Sequence, residues 1–394
     1  MTGKLSFVLR VAAIPLFVAI IAILETRQPF GMFRLATFGV LFLLLADIVS
    51  LLRGNWRDCA LVLASLAFGI FLIEAAGNIW GPRDPVVLSP DGLFAPQPVT
   101  GWGPGHAGRF HAEKTDPATG STIYSVDYTI DSNLLRKTQS CETGPAVVFF
   151  GCSFTFGIGL NDDQTLPQAF ADSLDRKVRV LNLGIGAYGP QHFLAELQSG
   201  FFDSVIGPHP RLFIFATAAW HVDRSACKPY WMRFAPRYKI ENGQPILKGA
   251  CYEEFGRLKE WLQSSAAYRW LIDLYWAGAS RDDVELYLQV ILAATNLAKA
   301  KYGAAVIVLY LESNQKDKSY LRGTGFTTEA IIQRLRDGGA AVIDASLEKE
   351  QAAGMAVSIP GDGHPTGLAN RLRASILKKY LERNMPEALA STLN

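Results

Sequence analysis

Ser153, Asp362 and His364 are the residues through which this 394-residue chain could do covalent chemistry. Ser153 stands in the run Gly151-Cys152-Ser153-Phe154-Thr155-Phe156-Gly157, shortly after the apolar stretch Ala146–Phe150. Glycines flanking a serine let the backbone turn sharply and present both the hydroxyl and nearby N–H groups. His364 stands in Asp362-Gly363-His364-Pro365. Of the histidines 106, 111, 192, 209, 221 and 364, it alone follows a carboxylate by two residues in a Gly/Pro loop. A carboxylate on the same loop can hold the imidazole tautomer with little loss of entropy. Nucleophile, base and orienting acid are the parts that acyl transfer through a serine requires. Each half has an ordinary reading: a serine in a loop, and a helix cap built from Asp362 or Thr366. Thr366, directly before Gly367, is expected to take the cap, which leaves Asp362 and His364 free.

Two further segments bear on the same chemistry. Gly184-Ile185-Gly186-Ala187-Tyr188-Gly189 spells the dinucleotide pattern G-x-G-x-x-G. That pattern expects an acid at the end of the following strand, and the following strand here ends Phe215-Ala216-Thr217-Ala218. A loop that aims backbone N–H groups at a developing oxyanion explains the same glycines. Ala219-Trp220-His221-Val222-Asp223-Arg224 then follows a strand, and His221 has two open readings. It could donate to the oxyanion, or, with Arg224, pair with local carboxylates and only shape the rim.

These residues need elements to place them. Apolar strands expected at Ala146–Phe150, Val178–Leu183, Arg211–Thr217, Ala304–Leu311 and Ala340–Ile343 alternate with helices at Thr165–Leu174, Pro190–Ser199, Thr327–Asp337 and Gly367–Arg383. Such alternation predicts an α/β domain, a parallel sheet with helices on both faces. Ligands of such sheets bind at the carboxyl ends of the strands, where Ser153, the 184–189 glycines and Trp220–Arg224 all fall. Residues 81–140, rich in Gly, Pro, Asp and Thr, predict a short β-rich lead-in. Residues 220–303 form an excursion holding Trp220, Trp231, Trp261, Trp270 and Trp276, with helices at Glu253–Ala267 and Asp282–Ala300. The tryptophans suit a wall over the site, with sugar stacking as one use, or simple core packing of those helices.

The N-terminus is of another kind. Apolar runs at about 8–25, 33–52 and 59–80 each approach the length that crosses a bilayer, and mean hydropathy is +0.15. Arg10, Asp47 and Glu74 interrupt them near their ends, where snorkelling or helix pairing accommodates charge. Lys4, Arg10, Arg53 and Arg57 would lie inside and Arg27 and Arg34 outside, so the domain after residue 80 is expected outside the cytoplasm. A net charge of +2 gives no reason to expect nucleic acid. None of the five cysteines forms a C-x-x-C pair. Cys227 and Cys251 could pair in an oxidising compartment or stay as thiols.

In this order the blocks resemble the SGNH (GDSL-like) hydrolase superfamily over roughly residues 120–385. The first block, usually Gly-Asp-Ser, carries Cys152 in place of the aspartate. The second places Ala187 five residues after Asn182, where the family has glycine. The third substitutes His221 for the usual asparagine, and the last spaces Asp362 and His364 by two. Tyr128–Arg136 is similar to the lead-in found in many bacterial members. The resemblance implies a flavodoxin-like sheet and Ser153 as nucleophile. It also implies Asp362 and His364 as the remaining triad members, with Ser153, Ala187 and His221 as oxyanion donors and no metal or organic cofactor. Three functions follow. One is a membrane-anchored, extracytoplasmic esterase acting on an acyl ester carried by a glycan or lipid. The second is an acyltransferase to an envelope glycan, served by a membrane partner. The third is a degenerate fold kept for binding.

Overall fold

The computed structural model of the chain describes residues 2–26, 32–81, 90, 92–116, 119–253, 256–273, 278–312 and 319–389. Arg27 and Trp276 lie outside them. The chain forms two compact units, one of residues 1–86 and 255–277, the other of residues 87–254 and 278–394.

The first unit is built on α1 (Thr2–Thr26), α2 (Met32–Leu51) and α3 (Asn55–Trp80). All three are long and apolar enough to cross a membrane. Their pairings are antiparallel. Arg10, early in α1, donates to Ser50 and sits 3.7 Å from Asp47, late in α2. Glu25, at the end of α1, accepts from Arg34 at the start of α2. Phe42 of α2 packs on Phe68 of α3 with ring centroids 4.9 Å apart. Asp47 is thus a helix-pairing residue. Glu74 is fully buried and serves a different purpose, taken up below.

The second unit opens with two hairpins, β1 (Phe94–Gln97) with β2 (Gly101–Pro104) and β3 (Gly108–Thr115) with β4 (Thr122–Ile130). The central sheet follows: β5 (Ala146–Phe150), β6 (Arg179–Asn182) and β7 (Leu212–Thr217). A third hairpin, β8 (Pro236–Glu241) with β9 (Gln244–Ala250), precedes the last sheet strands, β10 (Ala305–Tyr310) and β11 (Ala341–Asp344). The five sheet strands are all parallel, in the order β11-β10-β7-β5-β6. That is a doubly wound, flavodoxin-like order, the sheet that the resemblance implies.

The alternation of side chains along each strand makes two cores. Val148, Phe150, Phe213, Phe215, Val306 and Val308 face the helices Pro190–Ser199 and Arg281–Tyr302. Val147, Phe149, Leu212, Ile214, Ile307 and Leu309 face Leu166–Ser173 and Gly367–Asn384. Both faces are covered, which is why the strands read as unbroken apolar runs.

The excursion at 220–303 is not a single insertion. The β8–β9 hairpin and the helix Arg281–Tyr302 belong to the second unit, whereas residues 255–277 belong with the long apolar helices. The helix expected over Glu253–Ala267 is interrupted: it runs Gly256–Gln263, then resumes as Ala266–Tyr268 with the Ser265 side chain as its cap. Cys227 and Cys251 form a disulfide.

Candidate active site

The chain crosses over between β5 and β7, neighbours in the sheet that leave in opposite directions to their next strands. A crevice opens at the carboxyl ends of strands at such a point. Ser153 follows β5 and Trp220, Asp223 and Arg224 follow β7. They line one cavity of about 410 Å³ together with Phe154, Pro229, Trp231, Tyr320, Asp362, Gly363 and His364. Ser153, Asp362 and His364, singled out from sequence, are therefore brought to one place.

The serine turn is locked by backbone-to-backbone packing. Ser153 opens the short helix Ser153–Phe156, which ends at Gly157 in the left-handed conformation, φ 88°. A Cβ at Gly151 would stand 2.2 Å from Thr155 Oγ1, and one at Gly184 would stand 2.6 Å from the Phe156 nitrogen. The second loop thus lies directly on the first. Asn182 clasps the two: its Nδ2 donates to the Thr155 carbonyl (3.0 Å) and its Oδ1 accepts from the Gly184 N–H (3.0 Å). Ser153 is 6% exposed.

On the other loop, the Asp362 carboxylate accepts from His364 Nδ1, from the His364 backbone N–H (3.1 Å) and from Lys114 Nζ (2.6 Å). Burial alone would raise the Asp362 pKa, but the His364 hydrogen bond and charge, with Lys114, outweigh it and hold the carboxyl well below its usual range. With Nδ1 committed to Asp362, the imidazole has Nε2 for other work. Phe154 packs on the His364 ring at 5.5 Å and on Trp220 at 4.9 Å. No hydrogen bond joins Ser153 Oγ to His364 among the described residues. In unliganded enzymes such contacts are often long and tighten when substrate binds. Thr366 caps the helix Gly367–Asn384 by accepting from the Ala369 N–H, as expected.

Lys114 carried no signal in the sequence. It stands on β3, and its hairpin supports both loops that line the cavity. Tyr128 Oη accepts from the Gly159 N–H (2.9 Å) beyond the serine turn. Arg136, buried over the Tyr128 and Phe156 rings, pairs with Asp162 at 2.9 Å; burial lowers its pKa to about 10. The lead-in is a buttress.

Ala187 and His221 do not line the cavity. Ala187 is half-buried, at φ 72°, on the loop that packs against the serine turn, and its N–H makes no hydrogen bond among the described residues. His221, expected as the side-chain donor, sits deeper. It is 1% exposed, with Nδ1 2.9 Å from Thr217 Oγ1, itself 3.0 Å from Tyr287 Oη. Burial, with the nearby charge of Arg224, drives the His221 pKa far down and keeps the ring neutral. Asp223 and Arg224, two and three residues on, reach the cavity instead. Burial raises the Asp223 pKa to about 6, partly opposed by Lys228. The Arg224 guanidinium donates to the Tyr188 carbonyl (2.7 Å), lies 5.4 Å from the Trp231 ring and has no ion-pair partner among the described residues. Trp220 and Trp231 line the site, whereas Trp261 and Trp270 belong to the other unit. No group of three or more metal-ligating side chains exists among the described residues.

The chain matches no family model and no curated protein. It is similar to solved structures of GDSL/SGNH hydrolases, the superfamily the sequence blocks resemble. A member of the lipolytic G-D-S-L family from Veillonella parvula is 14% identical, with 61% of this chain and 100% of that one covered at a TM-score of 0.38. The esterase EstA of Pseudoalteromonas is 11% identical, covering 61% and 98% at 0.35. The acetylxylan esterase Axe2 of Geobacillus stearothermophilus is 13% identical, covering 61% and 95% at 0.35. The chain's own geometry carries the functional reading.

Proposed function

We propose that the chain is a membrane-anchored serine esterase of SGNH type. The observation that carries this is the convergence of Ser153, His364 and Asp362 on one cavity, with Asp362 hydrogen-bonded to Nδ1 of His364. Ser153 Oγ attacks the ester carbonyl carbon as its proton passes to His364 Nε2. The tetrahedral oxyanion is met by the backbone N–H of Ser153, which has no hydrogen-bond partner among the described residues. Collapse breaks the carbon–oxygen bond to the alcohol, which leaves with the proton from His364. Water, deprotonated by the same imidazole, then attacks the acyl-serine and releases the acid. Asp362 stays ionised, orienting His364 and stabilising the imidazolium.

The three apolar helices support anchoring, and the Cys227–Cys251 disulfide supports an oxidising, extracytoplasmic side for the catalytic unit. The test uses the full chain in nanodiscs. A fluorophosphonate probe should label it at Ser153, and a short acyl ester should be hydrolysed. Ser153→Ala should lose both. Equal labelling and turnover in that variant would overturn the reading.

A further inference from the structure

We propose that residues 256–273 are a second membrane attachment, a lipid-facing segment seated at the outer ends of the three long helices. The antiparallel pairings put the end of α1, the start of α2 and the end of α3 at one side. The segment has polar contacts to that side. Ser264 Oγ accepts from Arg34 Nε (3.0 Å) and Nη2 (2.7 Å), and the same guanidinium lies 5.0 Å from the Trp261 ring. The fully buried Glu74 carboxylate accepts from Ser265 Oγ (2.5 Å) and from the Ala266 and Ala267 N–H groups (2.7 and 3.1 Å). A Cβ at Gly77 would stand 2.7 Å from the Ala267 nitrogen, so only glycine admits this seat.

These contacts fix the depth. Glu74 precedes Trp80, the last residue of α3, by six positions, about 9 Å at 1.5 Å per residue. The seam therefore lies below the end of a helix that spans the bilayer, at the level of headgroups and upper acyl chains. On the segment's remaining surface Leu258 is 56%, Trp261 43%, Leu271 45% and Ile272 42% exposed. Apolar surface of this kind, continuous with three spanning helices, is solvated by acyl chains, with tryptophan at the interface. The buried carboxylate on α3 is what a docked helix start requires: an acceptor for N–H groups that would otherwise meet lipid unpaired.

The test uses the full chain in nanodiscs at one copy per disc, in a Cys59→Ser background. An environment-sensitive fluorophore is placed at Leu258→Cys or Ile272→Cys, and at Gln333→Cys on the other unit as control. With doxyl-labelled phospholipid in the disc, the first two positions should be quenched at least about threefold more than the third. Glu74→Ala, which removes all three acceptor contacts, should cut that quenching by about half or more. Labels at 258 and 272 that match the control would overturn the proposal. Quenching indifferent to Glu74→Ala would overturn the seat on α3. The readout does not pass through hydrolysis, so it stands or falls apart from the esterase reading.

Discussion

Lys114 Nζ lies 2.6 Å from Asp362 Oδ2, joining a strand of the lead-in hairpin to the acid that holds His364. The pair is nearly closed to solvent, the two side chains 15% and 4% exposed. Lys114 therefore fixes the carboxylate whose other oxygen orients the base. It is a positioning residue, and it adds to His364 in making Asp362 harder to protonate.

Lys114→Met should lower kcat about tenfold, the worth of one charged hydrogen bond at roughly 1.4 kcal/mol, with KM little changed. Lys114→Arg should recover part of the loss. The pH dependence has a definite sign. Asp362 has a depressed folded-state pKa, so its contribution to stability is present above the unfolded value near 3.9 and is lost as pH falls through the folded value. Removing Lys114 brings the folded value back toward the ordinary one. Acid unfolding of Lys114→Met, followed by near-UV circular dichroism, should begin at higher pH than in the wild type.

Asp223 titrates the other way. Its folded pKa of about 6 exceeds the unfolded value, so the stability it contributes is complete below about pH 4 and is lost as pH rises through 6. Asp223→Asn removes that penalty. It should melt higher than wild type at pH 8, by an amount on the order of 1–3 kcal/mol after discounting for partial exposure, and about equal to it at pH 4. Thermal melts at the two pH values check this.

Arg224 offers the cavity a guanidinium edge with no ion-pair partner among the described residues, steadied by the Tyr188 carbonyl and the Trp231 face. A planar donor fork held in this way matches a carboxylate or phosphate on the substrate. Arg224→Gln should raise KM about tenfold for an acyl ester bearing such a group and leave a neutral ester of the same acyl chain unaffected, as paired kinetics on the two esters would register.

The Cys227–Cys251 bond spans 24 residues that include Pro229 and Trp231 of the cavity wall. Closing a loop of that length is worth about 3 kcal/mol in the unfolded chain. Paired Cys227→Ser and Cys251→Ser substitutions should lower the melting temperature and raise KM more than they lower kcat. A variant with unchanged melting and KM would count against the wall assignment.

The sheet was legible because both of its faces are covered: Ala146–Phe150 and Leu212–Thr217 have no polar residue to confuse the pattern until Thr217 closes the second run. Ser153, Asp362 and His364 were legible because glycine, proline and the Asp-x-His spacing mark their loops. Lys114 was not, since it depends on a pairing 248 residues apart between a polar strand and a distant loop. His221 misled because a strand's carboxyl end points to the site only on average. One helical turn sends its ring back onto Thr217 and Tyr287 and sends Asp223 and Arg224 forward. The segment around Trp261 admits a wall or a packed core from sequence, because its amphipathic pattern suits a protein core and a lipid boundary equally well. Only the hydrogen bonds to Arg34 and Glu74 separate those two.

Residues 255–277 also divide the sheet-bearing fold in time. The strands bearing Ser153 and Arg224 emerge from the ribosome before this stretch, and those leading to Asp362 and His364 emerge after it. The parallel pairing of β7 with β10 can close only once the intervening chain has doubled back on itself. If that chain settles on lipid, as proposed above, the two halves of the sheet are joined in sequence by a segment held at the bilayer.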